Sequence, residues 1–68
     1  MLIYTYTDMN QRVIINTEHV VYILEQDNTL AIYTTSQSWI YLKKVTKDMM
    51  KQIENAMENG TKILRLEE

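Results

Sequence analysis

The sequence predicts a small α+β domain. It combines an antiparallel five-stranded meander sheet, one C-terminal amphipathic helix packed on a face of that sheet, and a short final strand. Three observations predict this class. The apolar residues are mostly β-branched or Tyr, with no Phe, a composition that suits pleated, half-buried surfaces. The first two thirds of the chain fall into short apolar runs broken by polar turns. Beyond Val45 the apolar spacing changes from alternation to the period of a helix.

The first strand is expected over residues 1–7, where Leu2, Tyr4 and Tyr6 share one face and Ile3, Thr5 and Thr7 the other. Asp8-Met9-Asn10-Gln11 is turn chemistry, because Asp and Asn side chains hydrogen-bond their own backbone. The second strand is expected over Arg12 to Asn16, closing a hairpin with the first. Asn16-Thr17-Glu18-His19 interrupts the apolar run with a tight turn.

The stretch from His19 to Lys43 organises the rest. Its first strand, Val20 to Glu25, is apolar throughout, with Val20, Tyr22 and Leu24 on one face and Val21 and Ile23 on the other. Such a run is expected at the centre of a sheet, covered on both sides. Asp27-Asn28 is a fair two-residue hairpin turn, since both residues tolerate positive φ. Leu30 to Thr35 follows, with Leu30, Ile32 and Thr34 opposed to Ala31, Tyr33 and Thr35. Ser36-Gln37-Ser38 turns the chain again. Trp39 to Lys43 then alternates Trp39, Tyr41 and Lys43 against Ile40 and Leu42.

Thr46 is the expected N-cap of the helix. Met49, Ile53, Ala56 and Met57 form one apolar stripe, joined by Met50. Gly60, the only glycine, stands just past the stripe, where a left-handed residue ends many helices. Residues 61–66 read as the last strand, with Leu64 and Leu66 alternating. That strand is expected to pair at an edge, either within the chain or across a subunit boundary.

Sixty-eight residues make one domain, residues 1–68. A chain this short buries only about 60% of the surface its unfolded form exposes. Cysteine is absent and His19 is the only histidine, so neither a disulfide nor a zinc site is expected to supplement the core. That leaves oligomerisation or a well-packed monomer, and of the two a homodimer is expected. A net charge of −2 argues against nucleic acid or an anionic membrane as the main partner. No apolar run reaches the roughly 18 residues of a membrane span, no signal-peptide pattern is visible, and a cytoplasmic protein is expected.

No catalytic grouping is legible. One glycine cannot build a phosphate loop, Ser36 and Ser38 lack the glycine frame of a nucleophile elbow, and the carboxylates are scattered. The expectation is a protein that is not an enzyme and takes no cofactor, metal or small-molecule substrate. His19 reads as a turn residue. Two features could carry binding. The aromatics Tyr4, Tyr6, Tyr22, Tyr33, Trp39 and Tyr41 fall on strands, where they serve as core and rim, as a protein interface, or as a stacking platform for bases. Lys43, Lys44, Lys47 and Lys51 gather at the helix start, opposed by Asp48, the reverse of what the helix dipole favours. They are either a solvated face or a site for an acidic partner. The candidate partner-binding residues are therefore Trp39, Tyr41, Tyr33, Lys43, Lys44, Lys47 and Lys51.

Two family resemblances follow from the residues. The N-terminal strand, Met9-Asn10, Val13-Ile14-Ile15-Asn16, Glu18-His19 before Val20-Val21, Glu25, Asp27-Asn28-Thr29, Thr34-Thr35 and Val45-Thr46 resemble the small flagellar and swarming-motility proteins of the FlbD/SwrD type. The resemblance spans about residues 2–57 and departs where Gln11 and Gln37 stand near that family's turn glycines. It implies a non-enzymatic accessory protein acting through partners. Residues 19–35, with Trp39-Ile40-Tyr41-Leu42 and the helix, are similar to the first half of LytTR DNA-binding domains, whose basic second half has no counterpart here. The expected function is a protein-interaction module. The alternative is a nucleic-acid-binding regulator that uses the lysine cluster.

Overall fold

The computed structural model describes residues 1–27, 29–42 and 47–66, with the side chain of Lys47 outside that set. The described chain runs β1 (Leu2–Tyr6), β2 (Arg12–Asn16), a 3₁₀ turn (Thr17–His19), β3 (Val20–Gln26), β4 (Thr29–Thr34), β5 (Trp39–Tyr41), α1 (Lys47–Glu58) and β6 (Ile63–Arg65). The α+β class holds. The single five-stranded meander does not: six strands form two three-stranded sheets, ordered β2-β1-β6 and β3-β4-β5. The 3₁₀ turn causes the division. It interrupts the chain between β2 and β3, with Asn16 Oδ1 accepting from the Glu18 N–H at 3.1 Å, and the two strands do not pair.

The sheets touch where the Thr7–Leu42 bridge and the Asp8 N–H donating to the Tyr41 carbonyl (2.9 Å) join the ends of β1 and β5. Their inner faces enclose one core. Ile3 and Ile15 come from the first sheet, Leu30 and Ile32 from the second, with Leu42, Ile53 and Leu66 completing it. Val13, Val20, Ile23, Ile40, Met49, Met50 and Leu64 pack around these. No polar side chain is buried among the described residues, so the core relies on apolar burial alone.

The last strand pairs within the chain. Leu2, Ile3 and Tyr4 align with Ile63, Leu64 and Arg65, and the two strands run parallel. Direction follows from the helix. Its C-terminal end lies beside Met1 and Thr17, so the returning strand starts at the same end as β1. Gly60 has φ 67° and closes the helix in a Schellman arrangement. The Thr61 N–H reaches the Ala56 carbonyl at 2.9 Å and the Gly60 N–H reaches the Met57 carbonyl at 3.3 Å.

Two further expectations are corrected. β3 is an edge strand, not a central one, and its outer face is open. A bulge between Val20 and Tyr22 breaks the alternation, so Val20 and Ile23 point inward while Val21, Tyr22 and Leu24 are exposed. Met57 is exposed rather than part of the buried stripe, because the last helical turn stands over an open depression shared with Met1, Thr17 and Gly60. Met50 packs on the core in its place. The expected N-cap Thr46, with Val45, and Asn28 of the hairpin turn lie outside the described residues; Asp27 of that turn has φ 51°.

Candidate protein-interaction surface

The register of β3, β4 and β5 builds the surface. Tyr22 aligns with Tyr33, and Tyr33 with Trp39, making one row across the sheet. Leu24, Ala31 and Tyr41 make the next row. All six side chains point away from the core, because Leu30, Ile32 and Ile40 on the same strands point into it.

The rings pack on one another. Tyr22 and Tyr33 stack with centroids 5.2 Å apart, and Tyr33 meets Trp39 at 4.9 Å with its plane tilted by 50°. Tyr22 presents an edge to Trp39 at 5.7 Å, and Trp39 stacks on Tyr41 at 6.3 Å. Such pairs each contribute about 0.5–1.5 kcal/mol beyond their area burial, so the cluster is held in place before any partner arrives. Ala31, 7% exposed, is the floor between Leu24 and Tyr41.

The face remains open to solvent. Tyr22 is 44% exposed, Leu24 46%, Trp39 40% and Tyr41 48%, which is unusual for four large apolar side chains in adjoining positions. Tyr33 is half-buried at the centre. Three strands at about 4.8 Å spacing and two rows at about 6.6 Å along the strands give a patch of roughly 190 Å². Neither row carries a charge. The tyrosine hydroxyls and the indole N–H have no hydrogen-bond partner among the described residues and remain available as donors at the rim.

The turn that presents Trp39 is built by short polar side chains. Thr34 Oγ1 lies 2.9 Å from Ser36 Oγ and donates to the Ser38 carbonyl at 3.2 Å, while Ser36 Oγ donates to Ser38 Oγ at 3.3 Å. The Gln37 N–H bonds the Thr34 carbonyl at 3.0 Å with Gln37 at φ 64°. Strand β3 adds a free edge beside the aromatic rows. Among the described residues it is the longest strand, carries no Pro or Lys, and pairs with another strand on one side only.

Of the residues expected to bind a partner, Trp39, Tyr41 and Tyr33 come together here. Lys43 and Lys44 lie outside the described residues, as does the side chain of Lys47, which opens α1; Lys51 is exposed on the helix. Tyr22 and Leu24 belong to the surface although sequence reasoning placed them on a covered strand. Val20 to Leu24 is apolar throughout, so parity carries no information there. The alternation of β4, large inward against Ala31 and Tyr33 outward, was the available signal. His19 ends the 3₁₀ turn in the open. No group of three or more metal-ligating side chains is present among the described residues. No helix there is long and apolar enough to cross a membrane.

Comparison with protein-family models, with curated proteins and with solved structures found no match for the chain.

Proposed function

We propose that the protein is a non-enzymatic interaction module that associates through the outer face of β3, β4 and β5, with a second copy of itself as the partner. The observation that carries this reading is the open cluster of Tyr22, Tyr33, Trp39 and Tyr41, pre-packed on a rigid sheet. Tyr and Trp dominate the energetics of protein interfaces because they cover large areas at low entropic cost.

A face of roughly 190 Å² is smaller than the ~800 Å² per partner of a standard interface. The exposed edge of β3, with Val21 beside it, supplies the adjoining surface, and an edge of this kind invites pairing. A two-fold arrangement uses the same patch on both copies, so one apolar, uncharged face meets itself without repulsion. The resemblance to FlbD/SwrD-type proteins supports the same class of function, an accessory protein acting through partners.

Sedimentation velocity over a dilution series from micromolar to millimolar tests the reading. The sedimentation coefficient is expected to rise with concentration, and Trp39→Asp or Tyr41→Asp is expected to abolish the rise while leaving the circular dichroism spectrum unchanged. A monomer throughout the series, or association unaffected by both substitutions, overturns the proposal.

A further inference from the structure

The chain has only two arginines, 53 positions apart, and the fold brings both to one cleft. The cleft is the outer face of the β2-β1-β6 sheet, lined by Tyr4, Tyr6, Arg12, Ile14 and Arg65, with a volume of about 220 Å³. Register explains the meeting. Tyr4 on the middle strand aligns with Ile14 on one side and Arg65 on the other, and Tyr6 aligns with Arg12. The two arginines therefore sit on opposite edges of the sheet, their backbones about 12 Å apart on a diagonal across three strands, with the tyrosines between them. The Arg65 guanidinium lies over the Tyr4 ring, its carbon 4.7 Å from the centroid. That contact orients the fork without occupying its N–H groups. Neither guanidinium has a hydrogen bond or ion pair among the described residues.

From this we infer that the cleft is a binding site for a phosphate monoester of a small organic molecule. Two guanidiniums present a local charge of +2 in a chain of net charge −2, and no acidic residue among the described residues lines the cleft. A monoester carries roughly −1.5 to −2 at neutral pH, so one group matches both forks. Guanidinium forks bond phosphate oxygens in pairs, a geometry lysine cannot supply. The volume falls below the ~300 Å³ of the smallest drug-sized sites, so it takes the phosphate end of a ligand. Ile14, 57% exposed, and the outer face of the layered Arg65 offer an apolar seat for the group that carries the phosphate. This surface faces away from the aromatic cluster across the core, so the site is independent of the proposed self-association.

Phenyl phosphate titrated into the ¹⁵N-labelled protein tests the inference. Amide shifts are expected at Tyr4, Tyr6, Arg12, Ile14 and Arg65. Arg12→Gln and Arg65→Gln are each expected to weaken binding roughly tenfold or more, the size of one charge-assisted hydrogen bond. Arg12→Lys keeps the charge and is expected to fall between, and phenyl sulfate, with a single charge, is expected to bind more weakly than phenyl phosphate. Preserved spectral dispersion in each variant shows that the fold is intact. Absence of shifts at these residues up to millimolar phenyl phosphate, or equal affinity in the Arg12→Gln/Arg65→Gln double variant, overturns the assignment.

Discussion

Gly60 and Gln37 occupy the same left-handed region of backbone space, at φ 67° and φ 64°, with opposite chemistry. A Cβ on Gly60 would meet nothing within 4 Å, so the cost of Gly60→Ala is conformational alone, about 1 kcal/mol. Urea unfolding should show it as a midpoint lowered by about 1 M at a slope of about 1 kcal/mol/M. Gln37 already bears that cost in the turn that presents Trp39. Gln37→Gly should therefore raise the midpoint by a similar or smaller amount, the gain being offset by glycine's freer unfolded state. A lowered midpoint for Gln37→Gly would show that the side chain contributes more than its strained backbone costs. Gly60 was legible because a lone glycine after a helical stripe has one common use. Gln37 was not, because nothing local marks a glutamine as left-handed.

β6 and the residue that follows it separate buried from exposed side chains within four positions. Leu66 is 2% exposed in the core, while Ile63 points outward at 51%. Leu66→Ala should cost about 2–5 kcal/mol, a large part of the roughly 3–10 kcal/mol expected for a domain of this size. Ile63→Ala should stay within about 0.5 kcal/mol. Thermal melting of both variants checks this, and equal losses would contradict the inward placement of Leu66 and the outward placement of Ile63. The elements themselves were legible where period and punctuation agree, as in β2, β4 and α1. Their partners were less so. Direction of β6 depends on where α1 delivers the chain, which no local pattern encodes. The edge position of β3 depends on a bulge inside a run of uniformly apolar residues, where alternation has no contrast to display. The same bulge hid Tyr22 and Leu24 from the candidate surface, whereas Trp39 and Tyr41 were visible because Ile40 and Leu42 alternate with them.

At the scale of the molecule, a Cα radius of gyration of 11.0 Å matches the ~11 Å expected of a 68-residue domain folded on itself. The last strand completes its own sheet within the chain, which leaves the aromatic face and the edge of β3 as the surfaces open to a second copy. Two outer faces then divide the surface, one apolar and uncharged around Trp39, the other holding both arginines. Trp39 is the only tryptophan and stands within the apolar face, so its fluorescence reports directly on whether that face is covered. Acrylamide quenching of Trp39 across a dilution series is the most direct test. Quenching is expected to fall and emission to shift to shorter wavelength as concentration rises; identical quenching and emission at every concentration would contradict association through this face.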